Sequence, residues 1–247
     1  MNPIEQFEIS PLKELGSIGA YHFIFTNSAA YMFLCVAILV GVTLYAMRGN
    51  SLVPGRLQSA VESVYEFIAD TVRQSAGEEG MKFFPFVFSL FAFILLCNFI
   101  GLVPYSFTVT SQIIVTASLA LLVFAIVIIY GFWRHGLGFL HLFAPSGAPG
   151  WLMPLIVVIE LMSFLLRPLS LSVRLFANML AGHIALAVFA GFVATLVGAG
   201  VWFVLAPLPL AMTIALLALE ALVAFLQAYV FAILTCIYLN DALHPHH

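Results

Sequence analysis

Charge is what this chain has least of. Of its 247 residues only 8% are Asp, Glu, Lys or Arg, whereas 64% are hydrophobic, a balance that cannot clothe the surface of a soluble domain. We therefore read an integral membrane protein. The formal net charge of −3 is too small to point to nucleic acid or to a strongly acidic partner. Cysteine is scarce too: Cys35, Cys97 and Cys236 stand singly in apolar runs, which fits neither a disulfide framework nor a metal knuckle. They read as small packed hydrophobes. The first residues carry Glu5, Glu8 and Glu14 against Lys13, without the basic start of a signal peptide or the arginines of a transit peptide. The first apolar segment is accordingly expected to be retained.

What the chain does have is long apolar runs. Residues 29–47 are just long enough to span a bilayer. After Gly49, Asn50, Pro54 and Gly55, the residues Leu57, Val61, Val64, Tyr65, Ile68 and Val72 repeat with helical period. This predicts an interfacial amphipathic helix over 57–75. Glu62, Glu66 and Asp70 on its other side are the wrong sign for anionic lipid and face water or another protein. Segments 83–103 and 113–133 form a hairpin of spans joined by the uncharged turn 104–112, and 136–150 is a loop rich in Gly and Pro. The apolar stretch 151–192 would be roughly 60 Å long as one helix, about twice the hydrocarbon thickness. It is either broken into two crossings or strongly tilted. Gly191, Gly198 and Gly200 mark the next turn, and 207–240 is a last helix that also exceeds a perpendicular span. The expected fold is a single all-α membrane domain over 1–247, with about five membrane helices plus the interfacial one, the last two long and strongly tilted. With the N-terminus outside, Arg48, Arg56, Arg73, Lys82 and Arg134 all fall on the cytoplasmic side and only Lys13 outside. The sequence shows no internal repeat of the kind many secondary transporters carry.

Inside the long stretch runs a polar ladder: Glu160, Ser163, Arg167, Ser170, Arg174 and Asn178 recur every three or four residues and share one helical face. That single phase argues for one continuous tilted helix, bent but not ended by Pro168. A charge at the bilayer centre costs about 2.5–3.5 kcal/mol even on the mildest scale, so each arginine needs a partner, water or a function. Guanidinium keeps its proton under any plausible burial, so a permanent charge at position 174 is best supplied by arginine. On the last helix, Glu220 and Gln227 lie seven residues apart, on a face shared with Thr213 and the small Ala224. His183 follows Arg174 by nine residues, half a turn away in azimuth. It reads either as a proton relay with Glu220 or as a ring bonded to backbone, and the carboxylate on the next helix favours the relay. Arg167 pairs poorly with Glu160 at i,i+7 and is expected to snorkel. His244, His246 and His247 read as a loose tail rather than a metal site.

Three passages carry a resemblance: CNFIGLVPYSFT from Cys97, SLSVRLFANMLAGH from Ser170 to His183, and ALEALVAFLQAYVFAILTCIYLND from Ala218 to Asp241. The chain resembles subunit a of the F-type ATP synthase, the membrane stator beside the rotating ring of c subunits. The resemblance implies that Arg174 is the essential arginine that keeps two offset proton half-channels apart, with Gln227 beside it. It implies that His183 and Glu220 line the half-channel open to the outside, and that Glu160 matches an acid of the cytoplasmic half-channel in mitochondrial-type members. Asn178 falls within the same motif, one turn from Arg174, where it can hydrogen-bond that guanidinium or line a wet path. No role carries over to Arg167. The partners implied are the c-ring, b-type subunits of the peripheral stalk and membrane lipid, within a hetero-oligomer holding one copy of this chain. Neither cofactor, metal nor nucleic acid is implied, and the chain is not catalytic by itself. The implied location is a bacterial inner membrane, with the N-terminus periplasmic and the C-terminus cytoplasmic; a mitochondrial inner membrane is the alternative. Two other classes compete. A secondary transporter of an anionic substrate would use Arg174 as its anion ligand, and a haem anchor would need axial ligands on facing helices, where His183 stands alone.

Overall fold

The computed structural model describes residues 10–18, 21–47, 55–103, 106–143, 151–198 and 204–243. Their order is β1 (Pro11–Ile18), β2 (Tyr21–Thr26), α1 (Asn27–Met47), α2 (Arg56–Gly80), α3 (Phe84–Gly101), α4 (Ile113–His135), α5 (Met153–Gly198) and α6 (Pro207–Leu243). Five helical segments among the described residues are long and apolar enough to cross a membrane, and the fold is that of an all-α membrane protein. Large side chains such as Phe33, Ile114, Trp133 and Leu208 stand exposed along these helices. Water would penalise them at every position, and lipid does not.

One regular element went unanticipated. No element was expected ahead of residue 29, yet β1 and β2 pair antiparallel, with Ile18 opposite Tyr21 and Pro11 opposite Thr26. The run Tyr-His-Phe-Ile-Phe-Thr is aromatic and β-branched, which suits a pleated strand better than a coil. Asn27 then begins α1, and its side-chain Oδ1 accepts a hydrogen bond from the backbone N–H of Ser28 at 2.8 Å.

Other differences lie at helix ends. The amphipathic helix α2 runs on to Gly80, and its buried face begins only at Ile68, followed by Ala69, Thr71, Val72 and Ala76. Leu57 and Tyr65, placed on the apolar side by periodicity, are exposed, as are Glu62, Glu66 and Asp70. Gly77 interrupts the helix with φ 67°, a conformation that costs glycine nothing. Beyond it Glu78 turns back to Arg73 at 3.0 Å. Gly191 lies inside α5 rather than in a turn, and the helix ends at Gly198. Between 136 and 150 the described part, Gly136–Phe143, coils as 3-10 turns. Arg48, Pro54, Pro104 and the histidines from His244 onward lie outside the described residues.

α5 is one helix of 46 residues with Pro168 inside it. At 1.5 Å per residue it is about 70 Å long. The described residues fall into two units: one combines those within 1–42, 93–113 and 175–228, the other those within 43–92, 114–174 and 229–247. In the first, Asn98 is fully buried and donates from Nδ2 to the carbonyl oxygen of Ala224 at 3.1 Å. This bond ties α3 to α6 where the side chain on α6 is smallest. In the second unit, Thr116 and Ser172 meet at 3.2 Å and join α4 to α5. The ends of α2 and α4 are linked by Arg134 and Glu79 at 2.7 Å. His135 Nε2 lies 3.2 Å from the carbonyl oxygen of Leu243, one of the last α6 acceptors without an intrahelical donor.

Candidate functional site

In the first unit the polar groups gather where α5, α6 and the segment after α3 meet. His183, on α5, is 9% exposed and Glu220, on α6, 5% exposed. The ring Nδ1 lies 3.5 Å from Glu220 Oε1. No described residue hydrogen-bonds either carboxylate oxygen, an arrangement that a buried acid tolerates only if it is protonated, hydrated or close to a cation. The approach depends on Gly182: a Cβ there would stand 2.7 Å from Glu220 Oε1 and 2.9 Å from its Cδ. No residue with a side chain fits at 182 while Glu220 keeps its place. On its other side the His183 Nε2 lies 2.9 Å from Thr108 Oγ1. A cleft of about 330 Å³ opens here, walled by Ser106, Thr108, His183 and Thr213 among apolar residues. With four polar side chains in its wall it is large enough for several waters. Along the same two helices, Asn178 Nδ2 donates to the Oε1 of buried Gln227 at 3.1 Å.

The second unit holds the arginines. Arg174 is exposed, and its side-chain hydrogen bond is a long one, from Nη2 to Ser170 Oγ at 3.5 Å one turn earlier. Among the described residues it has no carboxylate within ion-pair distance. Arg167 is different: its Nη1 meets Asp241 Oδ2 at 2.6 Å. Its guanidinium carbon lies 5.5 Å from the centre of the Phe164 ring and 5.1 Å from that of Tyr238. The charge is thus paired in its plane and faced by two π clouds. A groove of about 550 Å³ runs along this part of α5, past Ser163, Arg167, Ser170 and Tyr238. Glu160 is half-buried and, among the described residues, forms neither a hydrogen bond nor an ion pair.

The sequence-derived candidates separate accordingly. His183 and Glu220 come together, and so do Asn178 and Gln227. Arg167 meets a carboxylate 74 residues further on, a partner that local spacing did not give it. Asp241 escaped notice as a partner because it sits at the last turn of α6, where an acid reads as a solvated helix end. Thr108 and Asn98 belong to the CNFIGLVPYSFT passage, but a threonine or asparagine carries no signal of its target until the helices pack. Among the described residues, no three of His, Cys, Asp and Glu stand close enough together to hold a metal.

A family model described as ATP synthase A chain matches residues 29–240. The chain belongs to that family. It is 62% identical to the ATP synthase subunit a of Methylobacterium sp. (strain 4-46) over 247 residues, which cover 100% of this chain and 98% of that protein. It is 59% identical to the ATP synthase subunit a of Rhodopseudomonas palustris (strain BisB18) over 248 residues, covering 100% of both. A third relative, the ATP synthase subunit a of Bradyrhizobium diazoefficiens, is 61% identical over 250 residues, covering 100% of this chain and 99% of the relative. The family makes the chain a multi-pass inner-membrane channel subunit of a multisubunit complex, without a catalytic centre of its own.

Two outcomes follow from the geometry. Arg167→Met should lower the thermal midpoint of the solubilised complex by the equivalent of about 1–3 kcal/mol, between the values for exposed and buried pairs. Adding Asp241→Asn should recover most of that loss, because the stranded charge is then gone; a double variant as unstable as the single one would refute the pairing. Gly182→Val should displace the head of Glu220 and widen its 3.5 Å separation from His183 in a structure of the variant, with the subunit still present in purified complex by immunoblot.

Proposed function

We propose that this chain is the proton-conducting stator that faces a rotating c-ring, with Arg174 as the fixed charge separating two half-channels. The exposed guanidinium carries this reading: in a membrane helix a permanent cation with no carboxylate partner among the described residues is costly, and a carboxylate on a moving partner would relieve that cost. A charged ring carboxylate stays near Arg174, and a neutralised one turns into lipid. Rotation then requires protonation. Each proton yields about 2.3 kcal/mol per 100 mV in crossing, which a bypass would dissipate. The repulsion between Arg174 and a passing proton closes that bypass.

The outer half-channel runs, in this reading, along the cleft at Thr213 and Ser106 to His183 and Glu220. Asn178 and Gln227 line its inner end. The cytoplasmic half-channel follows the groove along α5, with Glu160 at its mouth. An N-terminus in the periplasm and a C-terminus in the cytoplasm place Arg73 and Arg134 on the cytoplasmic side, in accord with the positive-inside rule. Strong tilt lets helices as long as α5 and α6 stay within the bilayer and follow the ring wall, and b-type stalk subunits hold the stator against torque. Anion transport finds no support in the helices, since α5 and α6 are continuous and offer no broken-helix binding site.

Arg174→Ala should abolish ATP-driven acidification of inverted vesicles, measured by quenching of a pH-sensitive dye, while the complex still assembles. Pumping at the normal rate in that variant would end the proposal. Glu220→Gln should slow proton uptake from the outer face by about a hundredfold, the scale of one positioned acid–base group. Proton conductance through F1-stripped vesicles, followed over a range of outer pH, reads this directly, and an unaltered rate would remove Glu220 from the path.

A further inference from the structure

The His183–Glu220 pair accounts for one ring nitrogen and leaves the other to be explained. His183 Nε2 faces Thr108 Oγ1 at 2.9 Å, in a spot where Thr108 is 3% exposed. Three contacts fix that hydroxyl. The carbonyl oxygen of Thr108 accepts from both the hydroxyl of Ser111, at 2.7 Å, and its backbone N–H, at 3.3 Å. The Thr108 methyl packs over Gly101, where a Cβ would stand 2.7 Å from it. Ser106, just beyond α3, donates to the carbonyl oxygen of Val103 at 2.7 Å and tightens the turn that follows the helix. The segment 106–111 is therefore a brace, and Thr108 is its contact with the ring.

From this we infer that Thr108 is a positioning residue for the outer proton path, setting which nitrogen of His183 carries hydrogen; the inference rests on the role proposed above for His183 and Glu220. A neutral imidazole has one N–H and one lone pair, and the two nitrogens here face different partners. With Glu220 ionised, Nδ1 must present hydrogen to it, which leaves the lone pair on Nε2. The Thr108 hydroxyl then donates to that lone pair. When the ring takes a second proton, at Nε2, the same hydroxyl rotates and accepts from it. One hydroxyl thus serves both protonation states without moving any heavy atom, and it sits on the wall of the cleft from which protons arrive. Among the described residues of this unit, the titratable or charged group facing His183 from α6 is Glu220, α3 carries no charged residue, and the polar side chains of the brace are hydroxyls.

The test uses the membrane sector in inverted vesicles stripped of F1, with proton conductance recorded against the pH of the lumen, which the outer face lines, for Thr108→Val, Thr108→Ser and Glu220→Gln. Valine keeps the shape of threonine and removes the hydroxyl. It should lower conductance about tenfold, the rate equivalent of one hydrogen bond, and move the pH midpoint by about half a unit or more. Serine should restore both to within about twofold of the parent. Thr108→Ala replaces valine if that variant does not assemble. A hydroxyl-free variant with the parent's rate and midpoint would overturn the inference, as would a serine variant as slow as valine with an unmoved midpoint, the mark of a packing role. If Glu220→Gln alone also conducts normally, the relay itself is wrong; if it is slow while valine is not, only the role of Thr108 falls.

Discussion

A charge in hydrocarbon must be paired, hydrated or neutralised, and the three conditions are met differently at three places in this chain. Arg167 is paired, by Asp241 at 2.6 Å, and flanked by Phe164 and Tyr238. Glu220 is deeply buried, with the ring of His183 for its neighbour at 3.5 Å. Arg174 is exposed and, among the described residues, has no carboxylate within ion-pair distance. Two arginines seven residues apart on one face of one helix thus have opposite situations. The first is paired within the subunit, and the second stands exposed.

Close approach of helices makes these placements possible. Ala224, Ala228 and Ala232 are each fully buried and recur every fourth residue on α6, a stripe small enough for a neighbour's backbone to come near. Asn98 reaches the α6 backbone at Ala224 for that reason, and Gly182 admits the head of Glu220. Lipid gives no hydrophobic drive between helices, so packing and such hydrogen bonds must hold them. A carboxylate enclosed this way cannot drift from His183 as it would on a surface. Its position is fixed by what surrounds it, including the residues that are missing a side chain.

Much of this was legible in the residues. Composition settled the class, the ladder gave a continuous α5, and the motif identified Arg174, His183, Glu220 and Gln227 as the groups to watch. Periodicity failed where the physics is not periodic. The hairpin of β1 and β2 lies in a segment too short and mixed for a pattern to emerge, and Gly191 has the residue type of a turn but the surroundings of a helix. Pairings between distant residues were the least legible. The partner of Arg167 is 74 residues away, and Thr108 is 75 residues from His183; no local rule spans such a distance.

The residues that escaped sequence reasoning share a property: each is uncharged or terminal, and each acts through another group. Thr108 braces His183, Gly182 admits Glu220, and Asp241 cancels Arg167. A side chain that binds or moves a proton advertises itself, because its chemistry is rare in an apolar helix. One that merely holds such a group in place is made of common residues, and only geometry distinguishes it. The division is energetic as well as descriptive. A relay group must lie close enough in energy between its two states to exchange a proton, so it cannot also supply the rigidity that keeps it aligned. That rigidity has to come from neighbours that do not titrate, and a threonine held by a serine and seated against a glycine meets the requirement.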